Sequence, residues 1–175
     1  NLAGSLPFEV SELSSLEVLV LKNNSLGETV ENVMSLFSKL VHLDLSDNNI
    51  LKGLPNDLEK LNLLTHLDLG GNRMKGTVPP SLAQLKLLKT CILKANQLSG
   101  TLPPSLADME FLKELDLSGN RLSGTIPDTW SNFSSLEKLD IGKNDITGSA
   151  NCICSSEQLP GLIYFRSDCK CQQFA

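Results

Sequence analysis

The sequence has no long hydrophobic run and no excess of basic residues. No apolar stretch approaches the roughly 20 residues that a transmembrane helix needs. Residues 1–10 also lack the charged segment followed by an apolar one that marks a signal peptide, so any such segment would lie outside these 175 residues. Twenty acidic residues against fifteen basic ones give a net charge of -5. This balance argues against nucleic acid or an anionic membrane as the main partner and favours basic partners.

The sequence also lacks the common signatures of catalysis. It contains no GxSxG, no HExxH and no glycine-rich phosphate loop, and it has no cysteine and histidine placed to act together. Asp44 and Asp68 occupy equivalent positions of a repeat, whereas a glycosidase needs two carboxylates tuned differently. We therefore predict that the protein is not an enzyme and needs no cofactor.

An internal repeat of 24 residues runs through the chain. Leucine opens each repeat, and an asparagine follows eight positions later. The opening leucines are Leu16, Leu40, Leu64, Leu88, Leu112 and Leu136, and the asparagines are Asn24, Asn48, Asn72, Asn96, Asn120 and Asn144. Because six successive registers agree, the repeat predicts a solenoid built from coils of equal length.

Each repeat contains the pattern of one short strand. In LKELDLSGN, Leu115 and Leu117 alternate with polar residues, which is the period of two expected of a strand with one buried face. Equivalent strands of neighbouring repeats would pair in parallel, about 4.8 Å apart. The asparagine after the strand carries both donors and acceptors, so stacked asparagines would form a ladder that satisfies the backbone of their own and the next coil.

The pattern LxxLxLxxNxLxGxIPxxLxxL, over residues 2–149, resembles the plant-type leucine-rich repeat of receptor-kinase ectodomains and polygalacturonase-inhibiting proteins. The resemblance implies a right-handed α/β solenoid with a concave parallel β-sheet and short helical or 3-10 segments on the convex side. It also implies a protein that captures a peptide or protein on its concave face. The C-terminal stretch LPGLIYFRSDC resembles the ends of some algal leucine-rich-repeat proteins, and its cysteine spacing differs from that of the usual land-plant cap.

The chain divides into a repeat array at residues 1–149, whose first repeat is truncated, and a cysteine-containing C-terminal cap at residues 150–175. An uncapped strand at the N-terminal edge would expose backbone groups and apolar flanks, which favours self-association unless something covers it. In GETVENVMSLFSKL, apolar residues from Val30 to Leu40 recur at helical spacing and predict an α-helix on the convex side.

Four of the five cysteines lie in the cap, as Cys152, Cys154, Cys169 and Cys171. They fit either two disulfides, which would join the first pair to the second in one of two ways, or a four-thiolate zinc site. Glycosylation sequons at Asn23 and Asn132 point to the secretory route and an extracellular or cell-surface location, where disulfides are favoured. Cys91 replaces a strand leucine and is expected to be a buried, inert thiol.

Side chains that are not needed for stacking are the candidates for binding. On the predicted concave face these are Val18, Val20, Lys22, Val41, His42, Asp44, His66, Asp68, Lys89, Ile92, Lys94, Lys113, Asp116 and Asp140. The four aspartates form one column, which is either the common LDL spelling of such repeats or an acidic stripe for a basic partner. Val18, Val20 and Val41 would form an apolar patch suited to a binding hot spot.

His42 and His66 would lie about 5 Å apart on adjacent strands, each two residues before an aspartate. Such a group could bind a divalent metal or make a partner contact depend on pH. HLDL is, however, a common spelling of these strands, and we predict no metal site.

Together these features predict a non-enzymatic extracellular module that binds a protein or peptide, with a basic ligand favoured by the aspartate column. A structural or adhesive role in an extracellular assembly is the alternative, and inhibition of a secreted hydrolase is a third. We expect neither a nucleic-acid partner nor a membrane span within this segment.

Overall fold

The chain forms a stack of coils, with one strand of a parallel sheet in each coil. The computed structural model describes residues 2–4, 8–27, 37–54, 58–150, 153 and 159–169. Within these residues the strands are β1 (Ala3–Gly4), β2 (Val18–Val20), β3 (Ser25–Leu26), β4 (His42–Asp44), β5 (His66–Asp68), β6 (Thr90–Ile92), β7 (Ser99–Thr101), β8 (Glu114–Asp116), β9 (Arg121–Gly124), β10 (Lys138–Asp140), β11 (Asp145–Ile146) and β12 (Tyr164–Arg166). The predicted solenoid with a parallel sheet is confirmed.

The main sheet has seven strands in the order β12-β10-β8-β6-β5-β4-β2, all parallel. Equivalent residues of successive coils are paired, as His42 is with His66 and Leu43 with Leu67. The middle residue of each strand points into the core because the strand alternates. Cys91 takes this inward position in β6 and is fully buried. Burial raises the pKa of its thiol to about 12, which agrees with an inert side chain.

The predicted asparagine ladder is present. Asn48, Asn72, Asn96 and Asn120 are buried, while Asn24 and Asn144 at the two ends are half-buried. Each side-chain oxygen accepts a backbone N–H of the preceding coil, as Asn96 does from Met74 at 2.9 Å. Each amide nitrogen donates to carbonyls of its own coil, and every one except that of Asn24 also donates to a carbonyl of the preceding coil. The ladder therefore joins each coil to the one before it.

A second, smaller sheet follows the ladder and was not expected from the sequence. β7 and β11 each pair in parallel with β9, and at the N-terminal end β1 pairs in parallel with β3 of the following coil as a separate two-stranded sheet. Gly100 lies in β7 with φ of 82°, and a Cβ atom there would lie 2.9 Å from Cγ2 of Thr77 in the preceding coil. Glycine is thus required both by the backbone conformation and by the close approach of the preceding coil.

The return segments form short 3-10 helices at Phe8–Glu12, Leu58–Lys60, Pro80–Gln84, Pro104–Asp108 and Asp128–Asn132. Trp130 is fully buried, and its indole N–H donates to the carbonyl of Pro103 at 3.1 Å. Phe133 packs against it edge to face at 5.5 Å. Most of the α-helix predicted from Val30 to Leu40 lies outside the described residues. No helix in the described ranges is long and apolar enough to cross a membrane.

The segment predicted as a cap contributes β12, the last strand of the main sheet. Tyr164 pairs with Lys138, an offset of 26 residues in place of the usual 24. Asp168 ends the ladder, because its carboxylate accepts the backbone N–H groups of Lys143 at 3.0 Å and Asn144 at 2.7 Å. The extra strand thus continues the stacking beyond the last regular repeat.

Of the predicted disulfide residues, only Cys169 lies among the described residues, where its thiol is free and half-buried. It lies 3.6 Å from the carbonyl oxygen of Ile146 and 3.5 Å from that of Thr147. Burial raises the pKa of this thiol, and the neighbouring Asp168 adds to the effect. Cys152, Cys154 and Cys171 lie outside the described residues.

Candidate functional site

The face of the main sheet that points away from the core, here called the open face, carries three columns of side chains. The first column is Val18, His42, His66, Thr90, Glu114, Lys138 and Tyr164, and the second is Val20, Asp44, Asp68, Ile92, Asp116, Asp140 and Arg166. The third, just after the strands, is Lys22, Ser46, Gly70, Lys94, Ser118 and Gly142. The four aspartates are in register, as the repeat predicts.

Each aspartate of the second column uses one oxygen to close the turn after its strand. Asp44 Oδ1 accepts the backbone N–H and the hydroxyl of Ser46 at 2.9 and 2.6 Å, and Asp116 Oδ1 accepts the same two groups of Ser118. Asp68 and Asp140 accept the N–H of a glycine in the same way, at 2.9 and 3.0 Å. The recurrence of aspartate therefore has a local structural cause, which leaves the Oδ2 atoms for other contacts.

The Oδ2 atoms divide the column into two halves at Ile92. In the C-terminal half, Asp116 faces Lys94 at 3.8 Å and Asp140 faces Arg166 at 3.7 Å. In the N-terminal half, neither Asp44 nor Asp68 makes an ion pair with another described residue. These two adjacent carboxylates have no cation of the described residues within ion-pair distance, and we name Asp44 and Asp68 the unpaired aspartates.

Burial and the like charge of Asp44 both affect the pKa of Asp68. Burial raises the pKa of Asp68, and the neighbouring Asp44 raises it further, while the bond from the Gly70 N–H and the charge of Lys22 oppose the shift. Lys22 itself lies 3.6 Å from Asp47. A cation placed on the unpaired aspartates would relieve their repulsion.

His42 and His66 stack face to face beside these aspartates, with ring centroids 4.2 Å apart and an interplanar angle of 8°. Burial lowers the pKa of His66, and the facing His42 lowers it further, although Asp68, Asp44 and Glu114 oppose the shift. Among the described residues no group of three or more His, Cys, Asp or Glu side chains is placed to hold a metal ion.

The remaining predicted residues fall in two places. Val18 and Val20 are exposed at 57% and 53% on the open face, next to His42 and Asp44. Val41, predicted in the same apolar patch, lies instead beside Glu17 and is half-buried, with its N–H 2.7 Å from the Glu17 carbonyl. Its equivalents in later coils are Lys89 and Lys113, which are exposed at the edge where the strands begin.

The C-terminal half contains side chains that the sequence did not single out. A hollow of about 350 Å³ is lined by Glu114, Leu115, Asp116, Lys138, Asp140 and Tyr164. The Tyr164 hydroxyl donates to Asp140 at 3.3 Å, and Lys138 lies 3.7 Å from Glu114. Alternation in the stretch IYFRSD is the signal that could have identified β12, and with it Tyr164 and Arg166.

Comparison with known proteins agrees with this geometry. The sequence matches the family described as Leucine rich repeat at residues 86–146, and a second profile of that family at residues 39–61 and 63–85. No curated protein matches the sequence.

Several solved structures are similar. The ectodomain of the Arabidopsis thaliana receptor kinase GASSHO1/SCHENGEN3, in complex with CASPARIAN STRIP INTEGRITY FACTOR 2, has a TM-score of 0.85 and 29% identity over 98% of this chain and 20% of that one. Arabidopsis HAESA, in complex with the peptide hormone IDA and the co-receptor SERK1, has a TM-score of 0.81 and 31% identity over 85% of this chain and 25% of that one. The chain thus spans a quarter or less of the length of these two receptors.

A shorter structure is matched over most of its length. A chain of the BIR3–SERK2 complex from Arabidopsis thaliana is 32% identical, with a TM-score of 0.65, over 74% of this chain and 69% of that one.

Proposed function

This chain belongs to the plant-type leucine-rich-repeat family, and from that premise we propose that it is a non-enzymatic interaction module whose open face binds a peptide or protein segment. Two similar receptors were solved with bound partners, CASPARIAN STRIP INTEGRITY FACTOR 2 and the peptide hormone IDA. The open face supports binding rather than catalysis, because it carries one repeated carboxylate position and a stacked histidine pair in place of a nucleophile and its base.

The unpaired aspartates carry the proposal. Asp44 and Asp68 each direct one oxygen to a turn and leave the other without a cation among the described residues. Val18 and Val20 lie exposed on the neighbouring strand. A ligand that fits this half of the face has a basic side chain over the aspartates and an apolar side chain on the valines.

A selection from a random peptide library, carried out with the purified chain, tests the proposal. We expect enriched peptides to combine lysine or arginine with an apolar residue, and to lose affinity by about tenfold or more for the double variant Asp44→Asn and Asp68→Asn. The matched control is Asp116→Asn with Asp140→Asn, which changes the same column where the carboxylates are already paired. Equal loss with both double variants, or no loss with either, would contradict the proposal.

We also propose an extracellular location, with glycans and cap disulfides. The acceptor asparagines of the two sequons, Asn23 and Asn132, are both exposed, which suits glycosylation. Cys169 would pair with Cys152 or Cys154, and Cys171 with the other. Secretion of the chain from plant cells, followed by peptide mass mapping without reduction, should find both glycans and the cap cysteines as disulfides. Unmodified asparagines together with four free cap thiols would oppose this location.

The structural or adhesive alternative is favoured by a different observation. Leu2 and Leu13 in the truncated first repeat, and Val18 and Val20 in the strand that follows it, are all more than half exposed. Contact between copies through these side chains would bury them. Sedimentation of the chain over a range of concentrations should then show association that the double variant Val18→Ser and Val20→Ser weakens. A chain that stays monomeric would exclude this alternative.

A further inference from the structure

Three consecutive coils expose a large apolar side chain in the turn before the strand. Leu63, Leu87 and Phe111 are 38%, 41% and 48% exposed, and we name them the apolar ridge. Each precedes a leucine that is fully buried in the core, as Leu88 is after Leu87. The second, buried leucine makes the core contacts of its coil, and the exposed side chain before it is not part of the core. In the flanking coils the same position holds Lys39 and Ser135.

The apolar ridge is separate from the open face. Its side chains lie in the turns at the start of the strands, where Leu88 N–H donates to the carbonyl of Leu85 at 3.1 Å. Between the ridge and the columns of the open face lies the position occupied by Lys89 and Lys113. A partner bound to the unpaired aspartates would therefore leave the ridge free.

Positive charge surrounds the middle of the ridge. Lys86 and Lys89 flank Leu87, both are exposed, and neither makes an ion pair with another described residue. Lys39 is exposed in the coil before Leu63. The Phe111 end is different, because Glu110 and Asp108 are exposed there. At that end Lys113 forms an ion pair with Glu137, with 2.6 Å between Nζ and Oε1. The cationic part of the surface is thus centred on Leu87, in a chain whose net charge is -5.

The spacing of the ridge indicates the shape of its partner. Adjacent parallel strands are about 4.8 Å apart, so three ridge side chains extend over roughly 10 Å. On an α-helix, residues i, i+4 and i+7 also cover roughly 10 Å along one face, since the rise is about 1.5 Å per residue. Same-face residues of an extended peptide are about 6.6 Å apart and lose register with the ridge by the third contact.

We propose that the apolar ridge of Leu63, Leu87 and Phe111 is a second docking surface, which binds an amphipathic helix of a partner protein. The helix has apolar residues at i, i+4 and i+7, and acidic residues beside the middle one. The apolar residues contact the ridge, and the acidic residues face Lys86 and Lys89. This proposal does not depend on a ligand at the open face.

Three synthetic peptides test it by fluorescence anisotropy with the whole chain. The first has leucine at i, i+4 and i+7, with alanine and glutamate elsewhere, and the second replaces each glutamate by lysine. The third has the composition of the first with leucine at alternate positions. We expect the first to bind about tenfold or more tightly than the others. Equal binding of the lysine peptide would overturn the charge assignment, and equal binding of the alternating peptide would overturn the helix.

Variants locate the site. Leu87→Ser, and separately Lys86→Glu with Lys89→Glu, should each weaken binding of the first peptide by about tenfold. Thermal unfolding should remain as in the original chain, because all three side chains are exposed. Asp44→Asn with Asp68→Asn is the control and should leave this peptide's affinity unchanged. Absence of binding, or loss only in the open-face control, would overturn the proposal. So would a dimer of the chain that Leu87→Ser dissolves, because the occupant would then be a second copy.

Discussion

The asparagine column and the aspartate column each contain one residue per coil, yet the two columns have different structural roles. Asn96 is buried and bonds only to backbone, accepting from Met74 and donating to carbonyls of its own coil and the preceding one. Asp68, in contrast, is half-buried and uses one oxygen within its own coil. The asparagines connect coils, whereas each aspartate completes one coil and keeps an oxygen at the surface.

Recurrence alone therefore does not separate a structural residue from one that is available for binding. What separates them is how many of a side chain's polar atoms the fold already uses. An amide with all its hydrogen-bonding groups occupied has nothing left for a partner. A carboxylate with a second oxygen at the surface can still bind a partner. Where Lys94 or Arg166 already forms an ion pair with that oxygen, the carboxylate is less available.

The largest expected effect is on the asparagine column. Asn96→Leu should lower the free energy of unfolding by about 4 kcal/mol, because it leaves the buried N–H of Met74 without its acceptor and the Leu69 and Leu93 carbonyls without that donor. Leucine has the branched shape of asparagine but is bulkier and has no polar atom that could replace these bonds. Urea denaturation followed by circular dichroism measures the loss.

The half-buried end of the ladder gives the control for that variant. Asn144→Leu removes equivalent bonds, to Leu122 and to the Leu117 and Ile141 carbonyls, but water can reach this site. Its cost should be roughly half that of Asn96→Leu, since solvated groups lose less when a partner is removed. Equal costs would mean that burial does not determine the contribution of the ladder.

A smaller effect is expected on the aspartate column. Asp116→Ala should cost about 1 kcal/mol, because Ser118 N–H and its hydroxyl lose an acceptor in a partly solvated turn. Asp116→Asn keeps an acceptor oxygen and should cost less than about 0.5 kcal/mol, because the ion pair with the exposed Lys94 is long, at 3.8 Å, and contributes little. The same denaturation measurement applies, and a cost for Asp116→Ala as large as that of Asn96→Leu would remove the distinction between the columns.

The repeat made most of the fold predictable. Every regular coil repeats the same leucine and asparagine positions, so a period of 24 residues predicts the strands, their register, the ladder and the burial of Cys91. The second sheet was missed because its residues, such as Ser99 and Gly100, form a strand only when the next coil lies against them. β12 was missed because its offset of 26 residues from β10 differs from the repeat period.

The candidate site was only partly predictable, for a different reason. Alternation along each strand places Asp44 and Asp116 on the same face, and the structure bears this out. Whether a carboxylate meets a cation depends on how far a long side chain from the neighbouring coil reaches, and the repeat pattern carries no information on that. Lys94 reaches Asp116, whereas the equivalent Lys22 lies 3.6 Å from Asp47 and makes no ion pair with Asp44. The stack of His42 on His66 likewise depends on rotamers.

The smallest expected effect separates the two halves of the aspartate column through the titration of His66. Burial lowers the pKa of His66 below its ordinary value of 6.5, with His42 adding to the shift. The unfolded chain then binds the proton more readily, so stability from the neutral imidazole is present above pH 6.5 and is lost as pH falls through that value towards the folded pKa. The raised pKa of Asp68 has the opposite effect on the free energy of unfolding. Its contribution rises as the pH falls from the folded pKa of Asp68 to the ordinary value of 3.8.

The carboxylate of Asp68 raises the pKa of His66 and so opposes the effect of burial. Asp68→Asn should therefore lower the pKa of His66 further, and the loss of stability from this imidazole on acidification should extend to lower pH. Asp116→Asn should leave the titration unchanged, because its carboxylate faces Lys94 on the other side of Ile92. NMR titration of the two imidazoles measures both effects. A pKa of His66 at or above 6.5 in the original chain would contradict the dominant effect of burial. An equal shift in the two variants would mean that the halves of the column are not electrostatically distinct.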